Sequence, residues 1–138
     1  MFETLKGLLV TFRQLFQKPV TIPYPLVKRE AVPRARWRHK LMRHESGLER
    51  CIGCALCAAN CPAHCIHVVA GENTDGLRFS PGERYAVVYE INMSRCIFCG
   101  YCEDACPTRA IVLGEEYELS DYDRSSQIYT KEMLLVRN

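Results

Sequence analysis

The chain places cysteines at positions 51, 54, 57, 61 and 65 and again at 96, 99, 102 and 106, with Pro62 and Pro107 following the fourth of each series. Laying residues 50–66 over 95–111 gives eight identities in seventeen positions: Arg, Ile, four Cys, Pro and Ile. Cys51, Cys54, Cys57 and Cys61 each meet a cysteine in that overlay, whereas Cys65 meets Ala110. An internal duplication therefore pairs eight sulfurs and leaves one over. Cysteines at i, i+3 and i+6 in a tight loop can aim three sulfurs at three corners of one object, with backbone N–H groups turned inward between them. That object is larger than a single ion. A cubane of iron and sulfide takes three corners from one loop and its fourth from elsewhere, and C-x2-C-x2-C-x3-C-P is a bacterial run for it.

Other uses of sulfur fit less well. An odd number of cysteines at two-residue gaps makes a poor disulfide framework. Zinc sites combine two C-x-x-C-like pairs at a longer separation and have no place for a third cysteine immediately after each pair. A redox-active thiol pair leaves still more sulfurs unused. Spacing alone leaves open which sulfur serves which cluster. One helical turn from Cys57 to Cys61, and from Cys102 to Cys106, ends at a proline that carries the last cysteine away from its loop. In two-cluster ferredoxins that cysteine ligates the other cluster. The expected sets are thus Cys51, Cys54, Cys57 and Cys106 for one [4Fe–4S] cluster, and Cys96, Cys99, Cys102 and Cys61 for the second. Cys65 is read as a small buried apolar residue outside both sets.

Neighbouring residues read as tuning groups. Gly53 and Gly100 are expected to let backbone approach the sulfides, Ile52 and Ile97 to keep water away, and Arg50 and Arg95 to set positive charge beside an anionic cluster. The four histidines are not read as ligands. His39 and His44 belong to a basic segment, and His64 and His67 align with Arg109 and Val112.

The elements that must position these sulfurs are short. CIHVV (65–69), RYAVVYEI (84–91) and AIVL (110–113) read as strands, the first two separated by a turn-rich stretch. With the helical turns they give strand and short-helix pieces repeated twice, an α+β unit. Upstream, Met1, Phe2, Leu5, Leu8, Leu9, Phe12, Leu15 and Phe16 fall on one stripe at about 100° per residue. An amphipathic helix is expected there, ended by Pro19, with its apolar face against a membrane surface or a partner. Prolines at 19, 23, 25 and 33 favour an extended arm, which carries eight bases between Lys28 and Arg50.

The organisation expected is 1–50 helix and basic arm, 51–114 cluster domain, and 115–138 a partner-ordered tail. Net charge is +2, yet residues 1–50 hold eleven Lys/Arg against four Asp/Glu and 51–138 hold seven against twelve. Such a split suits a part with two different neighbours, an acidic subunit or anionic headgroups facing the arm. No base-reading module accompanies the basic run, which argues against nucleic acid. The N-terminus lacks the features of a secretory signal, and no run approaches the roughly 18 apolar residues of a membrane span. A reducing compartment, the cytoplasm, is expected. No phosphate-cradling loop, dinucleotide fingerprint or paired nucleophile and base is visible, so no catalytic residue is assigned.

KPVTIPYP (18–25), RHESGLERCIGCALC (43–57) and GERYAVVYEINMSRCIFCGYCEDACPTRAIVLG (82–114) closely resemble the two-cluster iron–sulfur subunit I of respiratory complex I, the proton-pumping NADH:quinone oxidoreductase. The resemblance implies a ferredoxin-like fold with two [4Fe–4S] clusters, held peripherally at the cytoplasmic face of the inner membrane. It implies that electrons arrive from an upstream iron–sulfur subunit and leave for a terminal cluster beside the quinone site. It also implies a membrane-embedded subunit against the N-terminal helix. The same module serves in membrane-bound hydrogenases and a photosynthetic relative of complex I. A free ferredoxin has no use for fifty leading residues and a long insert.

Overall fold

The computed structural model describes residues 2–74 and 76–136. It divides into a unit ending at Glu30 and a unit beginning at Ala31. The first contains helix α1 (Phe2–Gln14), none of whose residues is buried. Phe2, Leu8, Leu9 and Phe12 of its apolar stripe are 58–82% exposed, and Met1 lies outside the described residues. The α-helix ends earlier than Pro19. Leu15, Phe16 and Gln17 donate their N–H groups to Phe12, Arg13 and Gln14, the tighter i→i+3 pattern of a fraying end. Pro19 accounts for this, because it lacks the N–H that would bond Leu15 and disfavours helical geometry at Lys18. Beyond it the chain bends, with Val27 N–H bonded to the Pro23 carbonyl, instead of running straight.

The second unit contains β1 (His39–Leu41), α2 (Leu56–Ala59), β2 (Ile66–Glu72), β3 (Arg84–Asn92), α3 (Tyr101–Asp104), β4 (Ile111–Leu113), a 3-10 turn (Ser125–Gln127), β5 (Ile128–Tyr129) and α4 (Lys131–Leu134). Two antiparallel sheets result, β1–β4 and β2–β3–β5. In the β2–β3 hairpin Val69 faces Val88 and Ala70 faces Ala86, so Val87 is an extra, unpaired residue. This bulge resets the alternation of β3, letting both Ala86 and Tyr89 point inward with Ile91 while Val87 is exposed.

The core gathers Leu41, Tyr89, Ile91, Met93, Ile111 and Leu134 with Cys57, Cys61, Cys65 and Cys102. Among the described residues four of the twelve buried apolar side chains are cysteines, so the core forms around the sulfurs and not beside them. Each buried Leu or Ile contributes about 1.5–3 kcal/mol.

The division at residue 50 expected from sequence falls inside this unit. β1 lies in the basic arm yet pairs with β4, Leu41 opposite Ile111. Arg38 and Lys40 both bond Glu116, at 2.6 and 3.0 Å. These bases are engaged within the chain. The tail likewise does not wait for a neighbour: α4 supplies Leu134, and Val136 N–H bonds the Leu41 carbonyl at 2.9 Å. Compaction around the sulfurs recruited both flanks, whose local sequence is too charged or too short to read as core.

Lys131 secures the tail. Its ammonium lies 3.0 Å from Glu49 and bonds the Ala86 carbonyl at 2.9 Å, with the two side chains 12% and 5% exposed. It also faces the Tyr85 ring at 5.4 Å. Lys131→Met leaves the Glu49 carboxylate buried without its cation, and a loss of about 3–5 kcal/mol in urea unfolding is expected. The Glu49→Leu, Lys131→Met pair should recover most of that loss; equal damage from the single and double changes would contradict this account.

Candidate metal centre

The duplication is reproduced in the backbone. Gly53 and Phe98 have φ of 66° and 53°, Ala55 and Gly100 59° and 85°, His64 and Arg109 46° and 48°, each pair 45 positions apart. α2 and α3 keep the same offset and pack together. Left-handed geometry costs a non-glycine residue roughly 1–2 kcal/mol. Four such residues held at matching places indicate a loop shape imposed by what it surrounds.

That shape turns N–H groups toward sulfur. Phe98 N–H donates to Cys96 Sγ at 3.4 Å, and Gly53 N–H does the same for Cys51. Ala110 N–H donates to Cys106 Sγ at 3.2 Å, as Cys65 N–H does to Cys61. Gly53 is required for a second reason: a Cβ there would stand 2.7 Å from the Tyr85 carbonyl oxygen. Its bareness admits strand β3, a role different from the approach to sulfide expected from sequence.

Two cavities hold the cysteines. Cys51, Cys54 and Cys57 line the first together with Cys106 of the second loop. Cys96, Cys99 and Cys102 line the other together with Cys61 of the first loop, and Cys65 joins them. Among the described residues no three or more His, Cys, Asp or Glu converge tightly enough for one metal ion. A lining of three sulfurs from one loop and a fourth from the other suits a polynuclear centre better than zinc.

The electrostatics divide along the repeat. Burial pushes the Cys51 thiol up to about 11 and Cys102 up to about 12, and it also raises Cys57 and Cys96. Cys61 and Cys106, which correspond in the repeat, are lowered. Burial opposes the shift, but at Cys61 the Cys65 N–H and thiol with two further N–H groups prevail, and at Cys106 the N–H groups of Ile111, Ala110 and Thr108 with the Thr108 hydroxyl do so. A buried thiol of raised pKa becomes a thiolate when a cation replaces its proton. Donor chemistry, inward N–H groups and enclosure all fit an iron–sulfur cluster in each cavity.

The surroundings differ between the cavities. Tyr89, 1% exposed, has its hydroxyl 3.3 Å from Cys57 Sγ. His39, 2% exposed, has Nε2 3.9 Å from Cys96 Sγ, while its Nδ1 is buried without a partner. Burial lowers its pKa to about 4, so the ring is neutral. Arg36 donates to the Cys99 carbonyl at 2.6 Å, its guanidinium lying against Gly100. Arg36 thus places a positive charge on the second loop. Arg50 instead bonds the Arg43 carbonyl, and Arg95 is exposed. Ile52 lines the first cavity; Ile97 lines the second but is 64% exposed, leaving that side open to water in the isolated chain. His39 lines the second cavity, and its signal in the sequence, one His in a basic segment, was indistinguishable from a surface residue.

The 4Fe-4S dicluster domain profile matches residues 50–110, the span of both loops. NADH-quinone oxidoreductase subunit 9 of Thermus thermophilus is 56% identical over 137 residues, covering 96% of this chain and 75% of that protein. NADH-quinone oxidoreductase subunit I 1 of Symbiobacterium thermophilum is 55% identical over 133 residues, covering 96% of this chain and 82% of that one. Among solved structures, a chain of the membrane-bound sulfane sulfur reductase, an archaeal respiratory membrane complex, has 34% identity and a TM-score of 0.54 over 84% of this chain and 55% of its own. Identity above one half along nearly the whole length reaches well beyond the cysteine loops, and the chain belongs to the NADH-quinone oxidoreductase subunit I family.

Proposed function

We propose that this chain is an electron-relay subunit of NADH-quinone oxidoreductase, with Cys51, Cys54, Cys57 and Cys106 holding one [4Fe–4S] cluster and Cys96, Cys99, Cys102 and Cys61 the other. The observation that carries the assignment is the composition of the cavities: each draws three sulfurs from one loop and a fourth from the other. A bound cluster supplies reversible one-electron chemistry. The chain's own residues supply the thiolates, the inward N–H groups that favour negative charge on sulfur, and an apolar enclosure. Tyr89, buried next to Cys57 and within electrostatic reach of Cys51 and Cys102, lines the first cavity. No residue here is assigned to the oxidation of NADH or the reduction of quinone.

Electrons enter from an upstream iron–sulfur subunit and leave toward a terminal cluster beside the quinone site, at the cytoplasmic face of the inner membrane. α1 is the part that meets the membrane-embedded subunit. Its apolar stripe is exposed from Phe2 to Phe16, and no helix among the described residues is long and apolar enough to cross a membrane. A docked, peripheral helix is consistent with both facts. A related membrane assembly is the second reading, favoured by the likeness to the sulfane sulfur reductase chain, but that likeness rests on 34% identity against 56%.

Two measurements test these assignments. In the assembled complex Cys106→Ser should abolish or alter the paramagnetic signal of the centre held by Cys51, Cys54 and Cys57 and spare the other; a change confined to the other centre reverses the assignment. Replacing Leu8 and Phe12 together by Glu removes two stripe residues worth roughly 1.5–3 kcal/mol each when buried. Retention of the subunit by washed membranes should then weaken about 100-fold or more. Unchanged retention would exclude α1 as the docking element.

A further inference from the structure

The duplication contains its own control for Cys65. At the corresponding place in the first cavity stands Ala110, 2% exposed, whose N–H bonds Cys106 Sγ at 3.2 Å. Cys65 makes the same backbone bond to Cys61 and is also buried. It adds one group that Ala110 lacks, a thiol whose Sγ lies 3.5 Å from Cys61 Sγ and which also interacts with Cys96. Both neighbours line the second cavity. A sulfur bound to iron as thiolate has no proton to donate, so a hydrogen bond at this distance runs from Cys65 S–H to Cys61.

We propose that Cys65 is a fifth, unligated sulfur of the second cavity that donates its S–H to the cluster ligand Cys61 and so makes that cluster easier to reduce. The inference rests on the assignment of Cys61 to the second cluster. Reduction adds negative charge that spreads onto the ligand sulfurs, and a hydrogen bond to a sulfur is stronger when that charge is greater. A donor present at one cavity and replaced by a methyl group at the other raises the potential of one cluster alone. Cys65 acts through Cys61 as a tuning residue; it neither binds iron nor carries an electron.

The test is a redox titration of the assembled complex with Cys65→Ala and Cys65→Ser, following both centres by their paramagnetic signals, with Cys106→Ser identifying the first. Cys65→Ala recreates the arrangement at Ala110. Both clusters should remain by iron content, and the second should become about fivefold harder to reduce, about 40 mV for one electron, with the first unmoved. Cys65→Ser keeps an O–H donor and should restore part of the shift, which a purely packing role would not predict. If neither potential moves, or Ser behaves as Ala, Cys65 is a packing residue and the proposal fails while the cluster assignment stands. Loss of a cluster in Cys65→Ala would make Cys65 a ligand and also overturn the proposal. A shift in the first centre alone would instead overturn the assignment of Cys61.

Discussion

A thiolate buried in protein is stable only beside positive charge, and this chain buries or half-buries nearly all of its cysteines. That constraint organises the second unit. The sulfurs occupy the place an apolar core would fill in a domain of this size, and the aliphatic residues that remain, Leu41, Ile91, Ile111 and Leu134, form a shell around them. The strained loop residues Phe98, His64 and Arg109 belong to the same economy of charge, since the backbone at and just after them turns N–H groups toward sulfur. Cluster binding and folding are therefore one free-energy problem in this unit.

Each cavity is lined by cysteines of both loops. With Cys61 lining the cavity of the second loop and Cys106 that of the first, neither half of the repeat is self-sufficient. α2 and α3 pack against each other, and β2 and β4 enter different sheets. The repeat is symmetric in its loops and asymmetric in what packs on them. Tyr89 attends the first cavity, while Arg36, His39 and Cys65 attend the second.

Local patterns were readable and distant recruits were not. The duplicated loops, the helical turns before Pro62 and Pro107, and three strands could be read because each is written in contiguous residues; the strands differ from expectation by at most three residues at any end. β1 was missed because HKL has no strand signature and pairs only where β4 offers an edge. Arg36 was hidden for a similar reason: a basic run does not announce which of its members returns to a carbonyl sixty-three residues away. The tail carried no period, and its order comes from distant partners: β5 pairs with β3, Lys131 reaches Glu49, and Leu134 enters the core. Composition suggested that the arm's charge faced outward, whereas Arg36, Arg38 and Lys40 meet partners inside the chain.

The uncovered stripe of α1 has a consequence for the economy of the cell that makes the chain. Contiguous apolar surface drives self-association as concentration rises, and here it is concentrated on a helix of thirteen residues, none of them buried. Surplus copies would be prone to stick to one another and to be cleared by proteolysis. Supply of this chain is thereby tied to the supply of whatever covers the helix, a stoichiometric coupling set by surface chemistry with no regulatory site required.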